Sequence, residues 1–337
     1  MVYSEEKIYE RDGLQQDLPG FDKKYNNIVD YILKITEEIW EDKKVYVIND
    51  TYTKDILIHS GARQINGIDN VIKGTFDTLD SFPDRKMGAE AVIWSKDQEG
   101  VFYSSHRIGS NATNSGSTVF GEATGKKVFF RTIADCKVKN NKIFEEWLVR
   151  DNLTIIQQLD FNPIEMAKKS TTYKAVKPNF SFNKTYKTLD KTNLNITKLT
   201  SQEELIYKLF NTIWKDNSTN NIEEFYTESS TFYAICNNNI EGKTAIQSYL
   251  NTFLNSFKNL KVKLERITSN KLEDGTTEIA ARWFVNGIYK AGGILGDALE
   301  KEVLIPVITH YHIKDQKIKD EWMVFDGFDA LCQIYAQ

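Results

Sequence analysis

The residues with the most chemical promise in this chain occur as a repeated set. Glu145-Glu146-Trp147-Leu148-Val149-Arg150-Asp151-Asn152 is answered 175 positions later by Asp320-Glu321-Trp322-Met323-Val324-Phe325-Asp326-Gly327. Read as a strand, alternation places Trp147, Val149 and Asp151 on one face, and Trp322, Val324 and Asp326 likewise. A carboxyl held beside a tryptophan on an apolar face is poorly solvated, which raises its pKa and suits it to general acid/base work without a metal. The competing reading is a carboxylate at a strand end that caps a turn.

The histidines are the natural partners for such acids. Within Tyr103-Ser104-Ser105-His106-Arg107, alternation sets Phe102, Ser104 and His106 on one face and Tyr103, Ser105 and Arg107 on the other. If the first face looks into a pocket, His106 can share a proton with Asp151; the rival is a hydrogen-bonded structural histidine. The second half has Ala281-Arg282 at these positions, so the arginine is kept, which points to an architectural role for Arg107 and Arg282. His310 and His312 share a strand face, but no third ligand stands at convincing spacing, so no metal is expected. Gly121-Glu122-Ala123-Thr124-Gly125-Lys126-Lys127 is one residue short of a phosphate loop and precedes a strand, and it is set aside.

These residues need elements to hold them. Apolar residues at helical spacing (Ile28, Tyr31, Ile32, Ile35, Ile39) predict a helix over 26–41 ending beside Trp40. Helical character continues over 45–52, and Asp55–His59 follows as a short β run. A second helix opens at Gly67 and closes at Phe82-Pro83-Asp84. Strands are predicted over 90–94, 100–108, 127–138 and 142–157, with a turn at Asn140-Asn141. The second half repeats the order, with Trp214 for Trp40, Tyr226 for Tyr52 and Gly242 for Gly67. Helices followed by a strand meander, twice over, make an α+β duplication. The expected organisation is an arm over 1–24, a first domain over 25–162, a Lys/Thr/Asn-rich linker over 163–200 and a second domain over 201–337. The aromatics of Asn179-Phe180-Ser181-Phe182 are read as pinning that linker.

Of the 337 residues, 41% are hydrophobic and 27% charged, with a net charge of −4. Such a balance describes a globular chain and offers no electrostatic case for nucleic acid or an anionic membrane. No apolar run approaches transmembrane length, the opening residues lack a signal-peptide core, and the three cysteines form no CxxC. A cytoplasmic protein is expected.

With the pieces assembled, each half resembles the SnoaL-like polyketide cyclases, also described as ester cyclases, of the nuclear transport factor 2-like superfamily. The first half carries the resemblance in Tyr52-Thr53-Lys54-Asp55-Ile56-Leu57-Ile58-His59, Asn66-Gly67-Ile68-Asp69-Asn70-Val71, Phe82-Pro83-Asp84, and Lys142 through Asp151 with Gln157-Gln158-Leu159. The second keeps Tyr226-Thr227, Glu241-Gly242-Lys243-Thr244-Ala245-Ile246, and Gln316-Lys317-Ile318 running into Glu321-Trp322 and Asp326. The resemblance implies, in each half, a curved, mostly antiparallel sheet wrapped on helices around a conical pocket. It implies ring closure by proton transfer with no cofactor, Asp151 and Asp326 standing at the acid/base position. His312 matches the helper histidine; His59 and His106 serve Asp151. Tyr52, Trp147 and Arg107, with Trp322 and His310 in the second half, are the expected substrate contacts. The substrate class is a small apolar carbonyl compound, and the first pocket is expected to be the working one. Relatives commonly dimerise, so the tandem is expected to form an intramolecular pseudo-dimer, with further self-association open. The alternative is a non-catalytic binding or scaffold protein with the same fold.

Overall fold

The computed structural model describes residues 15–97, 100–170, 199–297 and 300–335. Two compact units divide between Asn162 and Pro163. The first begins with helix α1 (Ile28–Trp40), whose first turn is closed by Asn27 accepting from the backbone of Asp30 at 2.8 Å. Ile28, Tyr31, Ile32, Ile35 and Ile39 are its buried stripe, as the 3.6-residue period requires. A turn of helix at Ile48–Thr51 leads into β1 (Tyr52–Ser60) and β2 (Arg63–Asn66). Helix α2 (Ile68–Ser81) follows, then β3 (Lys86–Lys96), β4 (Phe102–Thr113), β5 (Lys127–Lys139) and β6 (Lys142–Arg150). Asn140 and Asn141, both at positive φ, make the predicted turn between the last two.

The six strands form one sheet in the order β2-β1-β6-β5-β4-β3, antiparallel except for the β1–β6 pair. The central β1–β6 pairing joins residues about 90 apart in sequence, which is why the chain must deliver α2 and the whole meander before β6 can dock.

One expected element is corrected. The strand predicted over 142–157 stops at Arg150, and Asn152–Gln158 forms helix α3. The β-branched run Thr154-Ile155-Ile156 favours a strand, but Asp151 captures the amide of Thr154 and tips the chain into a helix. Two other stretches differ from their expected character. Leu18 and Phe21 pack on the first core, Phe21 lying edge-on to Tyr31 at 5.1 Å and Phe102 at 5.7 Å. Pro163–Lys169 forms helix α4, with Ala167 buried, so the stretch read as linker opens as a helix of the second unit. The rest of that stretch, 171–198 with its Phe180 and Phe182, lies outside the described residues.

The second unit repeats the plan with α5 (Ser201–Leu209), continued by a wider turn over Phe210–Lys215, β7 (Tyr226–Ala234), β8 (Asn238–Glu241) and α6 (Lys243–Asn255). Then come β9 (Phe257–Lys271), β10 (Thr277–Tyr289), β11 (Lys301–Lys314), β12 (Lys317–Phe325) and α7 (Gly327–Tyr335). The sheet order, β8-β7-β12-β11-β10-β9, is the same. Gly67 and Gly242 precede their helices at φ +83° and +84°, a conformation that explains the repeated glycine. Helix α5 starts in a reciprocal capping box of Thr200 and Glu203. Thr200→Ala is expected to cost about 1 kcal/mol, read as a shift in the denaturant midpoint, while Thr200→Ser holds wild-type stability.

Among the described residues no helix is long and apolar enough to cross a membrane.

Candidate active site

Strand register decides which side chains meet under the helices of the first unit. Ser104, His106, Ile108 and Ser110 of β4 stand opposite Cys136, Ala134, Thr132 and Phe130 of β5. Cys136, Ala134 and Thr132 in turn oppose Glu146, Leu148 and Arg150 of β6. Cys136, Ala134, Leu148, Ile56 and Ile58 belong to the core packed on α1, so this is the face turned to the helices. His106 and Ile108, with Ala89, Met87 and the α1 residues Leu33, Thr36, Glu37 and Glu41, line a cavity of about 10 Å³, the room of roughly one water.

The interior is unusually polar for such a core. Glu146 is buried and accepts a hydrogen bond from Tyr52. Burial pushes its carboxyl up to about 7, against the opposing effects of Tyr52 and the nearby charge of Arg150. Burial also drives His106 down to about 3, only slightly countered by Glu90, so its imidazole is neutral. Arg85, which follows α2, is 4% exposed and donates through Nε and Nη2 to Ser110 Oγ at 3.2 and 2.9 Å. Its guanidinium stacks on Trp40 and Phe130. Five buried atoms on this face hold no hydrogen-bond partner among the described residues: Arg85 Nη1, Ser104 Oγ, His106 Nε2, Thr132 Oγ1 and Glu146 Oε2. Each such atom costs about 1–3 kcal/mol when left unmet, and five together rival the stability of a whole domain. A bound water or ligand would lower that cost.

The residues singled out in the sequence fall elsewhere. Asp151 is the cap of α3: Oδ1 accepts from the backbone of Thr154 at 3.0 Å and Oδ2 from its hydroxyl. Asp326 caps α7 in the same way, its Oδ1 accepting from the amides of Phe328 and Asp329 at 3.1 and 3.0 Å. Their recurrence therefore records two equivalent helix starts. His59 and Trp147 lie on the sheet face away from the helices, stacked at 5.1 Å, with His59 Nε2 3.2 Å from Glu145. Burial would raise Glu145, but His59 and Lys137 bring it to about 2. His106 is on the opposite face, so the expected grouping of Asp151, His106 and His59 is not formed. Arg107 pairs with Glu90 at 2.9 Å, and Arg282 with Glu265 at 2.7 Å, each glutamate standing in a strand bulge. Both arginines hold the sheet, and Arg107 does not face the interior. In the second unit Tyr233 stacks on Trp322, and His312 lies between Glu278 at 3.1 Å and Asp320 at 3.4 Å. His310 and His312 alternate with the helix-facing Thr309 and Tyr311, so they too are on the far face. Among the described residues no group of three or more His, Cys, Asp or Glu side chains is placed to hold a metal. Tyr52 alone of the expected substrate contacts reaches the interior.

The cap assignment of Asp151 makes a clean prediction. Asp151→Ala is expected to lower unfolding free energy by about 1–2 kcal/mol, whereas Asp151→Asn, itself a good cap, stays near wild type. A denaturant titration of both variants decides it; equal losses would remove the cap as the explanation.

The second interior keeps one feature of the first and replaces the others. Glu321 and Tyr226 repeat the hydrogen-bonded pair, and burial pushes Glu321 up to about 8. At the remaining positions Ser104 becomes Ile279, His106 Ala281, Ser110 Val285, Thr132 Val307, Arg150 Phe325 and Arg85 Leu260. Trp283 fills the middle, 4.6 Å from Trp214 and 5.1 Å from Phe210, its Nε1 donating to Thr309 Oγ1 at 3.0 Å.

Sequence reasoning missed Glu146, Arg85 and Arg150. Glu146 sat inside the opening motif, one residue from the tryptophan that drew attention to the wrong face. The signal for Arg85 was its replacement by Leu260 three residues after an equivalent phenylalanine, Phe82 in one half and Phe257 in the other.

Comparison with known proteins agrees with this architecture. The SnoaL-like polyketide cyclase family model matches residues 31–159 and 204–334, well over half of the chain. No curated protein matches. Among solved structures, a protein of Jannaschia sp. CCS1 described as a SnoaL-like polyketide cyclase is 16% identical, with a TM-score of 0.36, over 40% of this chain and 92% of that one. A protein of Bacillus cereus ATCC 10987 described as a polyketide cyclase is 21% identical, with a TM-score of 0.33, over 44% and 95%. IdmH of Streptomyces antibioticus, described likewise, is 18% identical, with a TM-score of 0.34, over 39% and 96%. With the family model matched once in each unit, the chain belongs to the SnoaL-like polyketide cyclase family as a tandem of two such domains.

Proposed function

We propose that the interior of the first domain is a cofactor-independent acid/base site for a small, apolar carbonyl compound, with Glu146 moving the proton. One observation carries this reading: a fully enclosed carboxyl titrates near 7 and has an oxygen without a partner. An acid with a pKa near the working pH both takes and returns a proton readily. Glu146 would remove a proton from the carbon beside a carbonyl. That carbon would then bond to a second carbonyl carbon of the same molecule, whose oxygen takes the proton back. Tyr52, kept neutral by burial, would hold the carboxyl in place. Neutral His106 would offer Nε2 to a carbonyl oxygen. A ring system needs more room than about 10 Å³, so α1 must part from the β3–β4 edge to admit it.

The test is exchange of α-protons from a panel of aryl 1,3-diketones in heavy water, followed by proton NMR. Glu146→Gln is expected to slow the catalysed exchange by about 100-fold or more, with Asp151→Asn unaffected. Exchange by Glu146→Gln at the wild-type rate would sink the proposal. One observation favours a second reading, in which the pair is architectural and the protein a binding or scaffold module. Tyr226 and Glu321 keep the same bond in an interior packed with Trp283 and Phe325.

A further inference from the structure

Arg85 is a buried cation with nothing of opposite sign to meet it. Its guanidinium touches Ser110 Oγ, the ring of Trp40 at 4.9 Å and the ring of Phe130 at 5.2 Å. No carboxylate among the described residues pairs with it, and Nη1 has no partner. The charge nearest to it in sign and effect is a second guanidinium, Arg150. Guanidinium does not give up its proton in a protein, so burial cannot be relieved by neutralisation. Burying one unpaired ion is costly, and setting a like charge beside it adds to the cost. The duplicated half does without these groups, since the positions equivalent to Arg85, Ser110 and Arg150 in the repeat are Leu260, Val285 and Phe325. The contrast with the sheet's other buried arginines is direct: Arg107 and Arg282 each have a glutamate within 3 Å. Planar guanidinium forks with a free edge are matched by carboxylates, which accept two parallel N–H bonds.

We propose that the first domain binds a carboxylate-bearing ligand, the acid group received by Arg85 Nη1 in the positive field of Arg150, with the Thr132 hydroxyl beside it. The proposal rests on the interior of the first domain being the ligand site, and it adds the substrate class to that reading. It also orients the ligand. Arg150 and Glu146 share a strand face four residues apart, roughly 13 Å at Cα. The acid group therefore anchors one end while the carbonyl carbons lie toward Glu146 at the other. The walls at the anchored end are Trp40 and Phe130, which suits an aromatic or otherwise planar acid. The specificity is then for the charged acid over its ester or amide, because only the anion offsets the Arg85 guanidinium.

The experiment is thermal shift together with tryptophan fluorescence, Trp40 being in contact with Arg85, on the full chain. The probes are formate, benzoate and 2-naphthoate, each against its neutral amide. At least one acid is expected to raise the melting temperature saturably, with its amide at least tenfold weaker. Arg85→Leu, which copies the second domain's own residue, is expected to weaken that acid at least tenfold while melting no lower than wild type. Arg85→Met is the second variant should leucine disturb the packing. Equal effects of acids and amides, no shift with any acid, or unchanged acid binding by both variants would overturn the proposal. Glu146→Gln separates the two readings. If it binds acids normally but exchanges protons like wild type, the acid/base role fails and acid recognition stands. If it loses exchange while Arg85→Leu binds acids as wild type does, the reverse holds.

Discussion

Between pH 6.5 and 8 the second domain loses stability as pH rises, and Glu321→Gln abolishes most of that loss. Glu321 is fully buried and accepts a hydrogen bond from Tyr226. Burial lifts its folded pKa from 4.5 to about 8, with Tyr226 opposing. Between those two values the folded state binds more protons than the unfolded state, so unfolding free energy falls with rising pH. The stabilisation is complete below about pH 4.5 and gone above the folded pKa of about 8, a loss on the order of 5 kcal/mol. Glutamine is neutral throughout and still offers Tyr226 an acceptor. The variant should therefore match wild type near pH 4.5 and exceed it by several kcal/mol at pH 8. Glu146, pushed up to about 7, adds a slope of the same sign in the first domain. His106, driven down to about 3, has the opposite sign between pH 3 and about 6.5, which is why the upper window is the clean one. Glu145, at about 2, acts only below it. Urea titrations at half-unit pH steps compare the two proteins; parallel curves would mean that Glu321 is ionised in the fold.

Trp283→Ala is expected to cost the second domain about 3–5 kcal/mol, the range for truncating a fully buried tryptophan. Trp283 is 0% exposed and packs on the rings of Trp214 and Phe210, which truncation would leave facing a cavity. The loss also strips Thr309 Oγ1 of its indole donor. Ile108, the counterpart in the first domain, already borders an open space, and Ile108→Ala should cost nearer 2 kcal/mol, the low end for such a truncation. Denaturation followed by far-ultraviolet circular dichroism and by amide exchange in β10 would locate the loss. A cost for Trp283→Ala below that of Ile108→Ala would contradict a filled second interior and an open first one.

These two expectations describe a duplication whose halves fill their interiors differently. The second interior is filled by aromatic packing and leaves Glu321 Oε1 and the Tyr311 hydroxyl unmet among the described residues, whereas the first leaves five such atoms on its helix-facing side. That difference was partly legible in the sequence. His106 against Ala281 marked the first interior as the special one, and Arg107 against Arg282 marked a shared structural pair, which Glu90 and Glu265 complete. Local rules carried the helix starts at Gly67 and Gly242, the amphipathic stripe of α1 and the Asn140-Asn141 turn, because each depends on a few adjacent residues.

By itself the sequence determined the duplication, the order of elements and the division of each strand into two side-chain sets, all consequences of fixed short periods along the chain. Only the tertiary structure decided which set lies under the helices. Alternation is symmetric, and nothing local to Glu146-Trp147 says that the carboxyl turns inward and the indole outward. The docking of α1 on Ile56, Ile58, Cys136 and Leu148 says so. Tertiary structure likewise ended β6 at Arg150 and turned Asp151 from a presumed acid into a helix cap. It brought Arg85 from the end of α2 to Ser110 and Phe130, residues that only sheet register places side by side. Chemistry in this fold is made by neighbours across strands, and their adjacency is a property of the assembled sheet that no short window of sequence contains.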